Sequence, residues 1–239
     1  MEELETLVQT RVAAIQARIA AAALRAGRDP SEVALMAAVK TRSAEEIAAT
    51  VRAGVLFIGE NRVQEGLAHL QAMDLSLRSE AQIHFIGRLQ ANKARKALSA
   101  FDSIDGVDDA DLARRLSRAA EEEGFTRDVM IEVNLGEEAQ KGGVPSASVA
   151  ELARFIHGLP GLRLTGLMGI PPLENKPEAS RPFFRELAGL FAQIRDSHPK
   201  PQAFAYLSCG MSHDFEVAVE EGATLVRVGT ALYGERRTA

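Results

Sequence analysis

Lysine is scarce in this chain, which makes each one informative. Of the 28 basic residues, 22 are Arg and 6 are Lys. Arg supplies the generic positive charge, so a lysine at a costly position needs a chemical reason. Lys40 directly follows Val33–Val39 (VALMAAV), a run apolar enough to be a fully buried strand. An ammonium there is expensive unless paired or deprotonated, and desolvation lowers the pKa of a lysine. A neutral amine attacks carbonyl carbon, which a guanidinium does not do. The plainer alternative is a Lys40 that snorkels from the strand end into water.

A second group of residues lies near the end of the chain. Ser208-Cys209-Gly210-Met211-Ser212 precedes a helix opening at Ser212 or Asp214, and Arg227-Val228-Gly229-Thr230 precedes a short terminal turn. Small residues let backbone amides approach a phosphate, and Ser and Thr hydroxyls add donors. Ser212 as an ordinary helix N-cap is compatible with that role. A carbonyl-reactive amine and a phosphate cradle together suit a ligand that carries both groups. Pyridoxal 5′-phosphate is one such ligand; a phosphorylated sugar in a cofactor-free aldolase is the other.

Four more segments are too polar or too small for simple packing: Gly59–Glu65, His84–Lys93, Asn134 with Lys141, and Gly166–Pro172. His84 lies within a strand, so it also reads as a hydrogen-bonded core histidine. Lys141 sits in a Gly-flanked loop and also reads as solvated. The small-residue path of Gly166–Pro172 fits a backbone that approaches a ligand or a neighbouring loop.

The elements that must position these residues alternate. Leu4, Val8, Val12, Ile15 and Ile19 mark one face of a leading helix over 3–27. Eight short apolar segments follow: Val33–Val39, Val55–Ile58, Gln82–Phe85, Phe101–Ile104, Val129–Val133, Leu162–Gly166, Ala203–Tyr206 and Thr224–Val228. Helical patterns fill the gaps, at about 44–53, 61–73, 91–99, 108–123, 146–157, 179–197 and 212–221. Such alternation predicts an α/β fold with parallel strands covered by helices. Eight units in 239 residues predict one (β/α)8 TIM barrel over 1–239, with the functional face at the C-terminal strand ends. The rival is an open doubly wound sheet. That fold usually carries a Gly-rich turn after its first strand, where this chain has Lys40-Thr41-Arg42-Ser43.

Composition excludes other classes. The net charge is −5, so no basic surface announces nucleic acid. A single Cys makes neither an internal disulfide nor a multi-Cys zinc site. The N-terminus is acidic and amphipathic, unlike a secretory signal, and no apolar run approaches the roughly 20 residues that span a bilayer. The expectation is a cytoplasmic protein without membrane or metal.

These positions also carry a resemblance. Ala38-Val39-Lys40-Thr41, GENRVQE at Gly59–Glu65, HFIGRLQ at His84–Gln90 with Asn92-Lys93, Val133-Asn134 with Lys141, GLMGIPP at Gly166–Pro172, SCGMSHDF at Ser208–Phe215 and VRVGTALYGER at Val226–Arg236 follow one another in a specific order. In that order and spacing the chain resembles, nearly end to end, the pyridoxal phosphate homeostasis proteins, small alanine-racemase-like single barrels. The resemblance implies a fold-type III barrel that binds pyridoxal 5′-phosphate, with Lys40 as the Schiff-base lysine. It implies that Ser208, Ser212, Gly229 and Thr230 surround the cofactor phosphate. Arg227 matches the arginine that faces the pyridine nitrogen in alanine racemases; contact with the phosphate is the alternative. Asn61, His84 and Met168 look like cofactor-pocket residues. The chain departs from the family's usual Ser, Phe and Met or Leu at Val39, Ile58 and Cys209. Cys209 beside the phosphate loop is either a source of thiol reactivity or a small buried residue.

Two functions are compatible with this resemblance. One is a non-catalytic carrier that buffers pyridoxal 5′-phosphate or delivers it, with apo forms of the enzymes that use it as the expected partners. The other is an amino-acid racemase. Racemisation needs acid/base groups on both faces of the substrate, and racemases take the second from a tyrosine of another domain. This chain has Tyr206 and Tyr233 only, inside the seventh strand and the terminal turn, and one barrel fills its length. The expectation is therefore a carrier, and a monomer.

Overall fold

The computed structural model describes residues 2–136, 142–172 and 175–235. Lys141 and Arg236 lie outside the described residues. The leading helix α1 (Glu2–Arg25) buries Val8, Val12, Ile15 and Ile19, the stripe that the spacing predicts. Gly27, left-handed at φ 69°, ends it.

Eight parallel strands close into a barrel: β1 (Ala34–Ala38), β2 (Phe57–Glu60), β3 (Gln82–Phe85), β4 (Ser103–Val107), β5 (Arg127–Asn134), β7 (Leu162–Gly169), β8 (Tyr206–Ser208) and β9 (Leu225–Val228). The two-residue β6 (Val144–Pro145) adds to β5 outside the ring. Two pairings seal the circle, β4 with β5 and β9 with β1. Helices α2 (Ala44–Arg52), α3 (Val63–Ala72), α4 (Leu75–Glu80), α5 (Ala94–Ala100), α6 (Ala110–Glu123), α7 (Val149–His157), α8 (Arg181–Ser197), α9 (Phe215–Glu220) and α10 (Thr230–Tyr233) cover it. The (β/α)8 expectation holds and the open sheet does not occur.

Local chemistry sets several boundaries. Ser43 and Glu46 form a reciprocal capping box at the start of α2. The Asp109 carboxylate caps α6, which ends at Gly124 with φ 73°. Other boundaries move from the sequence expectation. The seventh barrel strand lies at Tyr206–Ser208, since Pro201 opens a 3-10 turn that takes Ala203 out of the sheet. Strand β7 runs on to Gly169, and β4 starts at Ser103. Its register breaks between Ile104 and Val107, a bulge that turns Asp105 inward.

The barrel interior is packed. Met36, Ile86, Met130, Met168 and Leu225 form one buried layer. Toward the N-terminal strand ends, the ring of His84 lies 5.5 Å from Phe57 and 6.3 Å from Tyr206. His84 Nδ1 meets the Asp105 carboxylate at 2.8 Å, and Ser103 Oγ donates to the same group at 2.5 Å. Burial opposes charge on His84, but the Asp105 carboxylate outweighs it and holds the imidazole pKa above its ordinary value.

Close backbone approach explains the small residues of GLMGIPP. A Cβ on Gly166 would sit 1.9 Å from the Tyr206 carbonyl oxygen of the next strand. We expect Gly166→Ala to lose about 3 kcal/mol, the upper range of overpacking costs, in urea unfolding; unchanged stability would show that β7 and β8 separate freely there. Cys209 is 1% exposed, and burial pushes its thiol up to about 12. The folded protein should therefore leave this thiol unmodified by a maleimide or disulfide reagent at pH 8, with full labelling only after denaturation.

Candidate functional site

Lys40 follows β1 at the C-terminal mouth of the barrel. Its neighbour Thr41 has φ 64°, a left-handed backbone that strains a β-branched residue. This turn brings Lys40 and Arg42 to one wall of a cavity of about 370 Å³. Asn61 after β2 and Ile86 after β3 form the next wall. Met211, Ser212, His213, Arg227, Gly229 and Thr230 close the cavity from the last two strand ends. Among the described residues, no carboxylate pairs with the Lys40 ammonium.

Part of the cavity lining is built as a donor cluster. Ser212 Oγ accepts the backbone amides of Gly229 at 3.2 Å and Ala231 at 3.1 Å. Those bonds tie the loop after β8 to the loop after β9. Ser212 is therefore not a helix cap. Helix α9 starts at Phe215, and the Asp214 carboxylate takes the Met211 amide at 2.8 Å. With two amides on its oxygen, the Ser212 hydroxyl keeps its own proton to donate. Thr230 adds a second hydroxyl, and Gly229 leaves open the space that a side chain would take beside Ala38.

Arg227 lies on β9 and is 4% exposed. Its Nη1 donates to the Ser208 carbonyl and to Ser208 Oγ, both at 2.7 Å, and its Nη2 donates to the Gly169 carbonyl at 3.0 Å. Burial lowers its pKa, while acidic groups including Asp105 and Glu132 pull it back up. The neutral acceptors fix the plane of the guanidinium and leave one edge on the cavity.

The residues singled out in the sequence thus separate into two sets. Lys40, Asn61, Ser212, Arg227, Gly229 and Thr230 line one cavity. Ser208, His84 and Met168 do not line it. Ser208 is fully buried and orients Arg227, Met168 fills the barrel core, and His84 lies deeper against Asp105. Arg42, Ile86, Ile170, Met211 and His213 also line the cavity. They went unassigned, although Ile86, Ile170, Met211 and His213 stand inside motifs the sequence marks and Arg42 directly follows one. Two acidic groups also went unassigned. Glu60, at the end of β2, is buried and bonds His69 Nδ1 at 2.6 Å; burial raises its pKa. Burial, reinforced by Asp108, likewise raises that of Glu132. Such strand-end carboxylates have no periodic signature that would distinguish them from surface charge.

Comparison with known proteins agrees with this architecture. Residues 11–237 match the alanine racemase N-terminal domain family. The pyridoxal phosphate homeostasis protein of Aquifex aeolicus (strain VF5) is 42% identical over 228 residues, covering 95% of this chain and 97% of that protein. The structure of PipY from Synechococcus elongatus PCC7942 with PLP bound superposes with a TM-score of 0.80 at 34% identity, covering 95% of this chain and 100% of that one. A Bifidobacterium adolescentis protein of unknown role superposes with a TM-score of 0.91 at 36% identity, covering 98% and 97% of the two chains. With an eight-stranded barrel whose first strand delivers a lysine to a hydroxyl- and amide-lined mouth, the chain belongs to the pyridoxal phosphate homeostasis protein family, on the alanine racemase N-terminal domain fold.

Proposed function

We propose that this chain binds pyridoxal 5′-phosphate at Lys40 and holds it as a cytoplasmic carrier that delivers it to apo-enzymes, acting as a monomer without substantial turnover. The observation that carries this reading is one cavity lined both by a primary amine that, among the described residues, has no carboxylate partner and by the Ser212–Gly229–Thr230 donor cluster. That donor set fits a phosphate dianion, and the amine fits an aldehyde. When bound, the cofactor supplies an aldehyde that condenses with primary amines and a ring that withdraws electrons.

The protein's own groups have separable tasks. Lys40 is the covalent anchor. Ser212 and Thr230 donate to the phosphate. Arg227, held by Ser208 and Gly169, keeps its proton, so whatever part of the ligand it meets receives a hydrogen bond and no proton. Asn61 flanks the ligand, while Ser208, Met168 and His84 support the wall and floor.

The tyrosines favour the carrier over the racemase. Tyr233 gives its hydroxyl a partner in Thr50 at 2.8 Å, and burial pushes its phenol above the ordinary range. Tyr206 is raised in the same direction by burial in the barrel interior. Neither lines the cavity. No described helix is long and apolar enough to cross a membrane, which is compatible with a cytoplasmic location.

The purified protein should be yellow, and borohydride should fix the cofactor to Lys40. A Lys40→Ala protein giving the same yield of adduct would remove Lys40 from this role. The holo-protein should leave single L-amino acids undeuterated at the α-carbon in D₂O; rapid exchange with appearance of the D-isomer would replace the carrier with a racemase.

A further inference from the structure

We infer that the chain carries a second anion site, for a small phosphate monoester with an apolar body, in a hollow of about 870 Å³ beside the Lys40 cavity. The two spaces share Asn61 as a common wall. The hollow opens between the C-terminal ends of β2, β3 and β4. Its lining is mostly polar, with an apolar part contributed by Val63, Phe85, Leu89 and Leu112.

Three cations line the hollow from three different segments. Arg88 lies in the loop after β3, Lys93 in the 3-10 turn before α5, and Arg115 on α6. Among the described residues, none of the three has a carboxylate ion-pair partner; Lys93 donates only to the Gln64 side-chain carbonyl, at 3.3 Å. Arg62, the fourth cation of the hollow, is already neutralised by Glu65 at 2.7 Å. Three acids line the same hollow: Asp111 pairs with Arg114, while Asp109, which accepts the Leu112 amide, and Asp108, which accepts the Gly143 amide, keep their charge. Glu132 tempers the charge of Arg88 without pairing with it.

Guanidinium forks suit the oxygens of a phosphate, and donors from three separate segments can meet several of those oxygens at once, which the two oxygens of a carboxylate do not use. The apolar part of the lining accepts the ligand's apolar body, as in small-molecule sites generally. This site stands apart from the carrier function, although a filled hollow would touch the Asn61 wall of the Lys40 cavity.

The test is calorimetric titration of the full chain with phenyl phosphate, after pyridoxal 5′-phosphate has been fixed at Lys40 with borohydride so that the first cavity is closed to the probe. One saturable site is expected. Arg88→Ala and Arg115→Ala should each weaken it about tenfold, as expected for loss of a charged hydrogen-bond donor. Arg62→Ala, whose charge is already neutralised, should leave the affinity unchanged. Binding that does not saturate, or that survives both Arg88→Ala and Arg115→Ala, would overturn the site. A chain that takes no cofactor at Lys40 would overturn the carrier function and not this site, since titration of the untreated chain still reads out on Arg88 and Arg115.

Discussion

A guanidinium buried inside a barrel must find acceptors for its N–H groups, or the strand that carries it cannot close. Arg227 finds them on its neighbours, the Ser208 carbonyl and hydroxyl from β8 and the Gly169 carbonyl from β7. Three successive strand ends are thereby locked in one relation. Strand β9 also pairs with β1, with Arg227 opposite Met36 and Val228 opposite Ala37. The turn that carries Lys40 is therefore built on the same rigid frame as the cation. The Ser212 clamp on the Gly229 and Ala231 amides adds the loops above it. This side of the mouth, from amine to donor cluster, rests on satisfying one buried charge.

The opposite side of the mouth is held differently, by backbone against backbone. A Cβ on Gly87 would lie 2.2 Å from the Asn61 carbonyl oxygen, and one on Gly106 would lie 2.8 Å from that of Gly87. The ends of β2, β3 and β4 thus stack through their main chains, with no side chain between them. This contact sets Asn61 where the Lys40 cavity and the larger hollow meet. Beneath, the His84–Asp105–Ser103 network fills the part of the interior that the methionine layer leaves. A buried polar network of this kind is stable because its hydrogen-bonding groups are matched to one another.

Much of the site was legible because its signals are local. Lys40 stood out from an apolar strand in an arginine-rich chain, and Gly229-Thr230 marked a turn with donors. Helix α1 could be read from five apolar positions alone. Short elements were less legible. Strand β8 has three residues, and its placement depends on the turn at Pro201–Ala203 and on pairing with Gly166–Met168. No window of sequence contains both. Side-chain direction was least legible. Ser208 and Ser212 stand four residues apart in one motif, yet one is fully buried beneath Arg227 and the other faces the cavity.

By itself, then, the sequence determined the strand–helix alternation, the parallel barrel and the residue types that gather at its mouth, because periodicity and strand-end chemistry are written in neighbouring residues. Only the tertiary structure decided which of those residues share a cavity. Closure of the ring brings β9 against β1, and hydrogen-bond satisfaction then turns Ser208 and His84 inward and Ser212 toward Lys40's cavity. Those choices depend on the β9–β1 pairing and on hydrogen bonds between groups 17 to 21 residues apart, which no local pattern encodes.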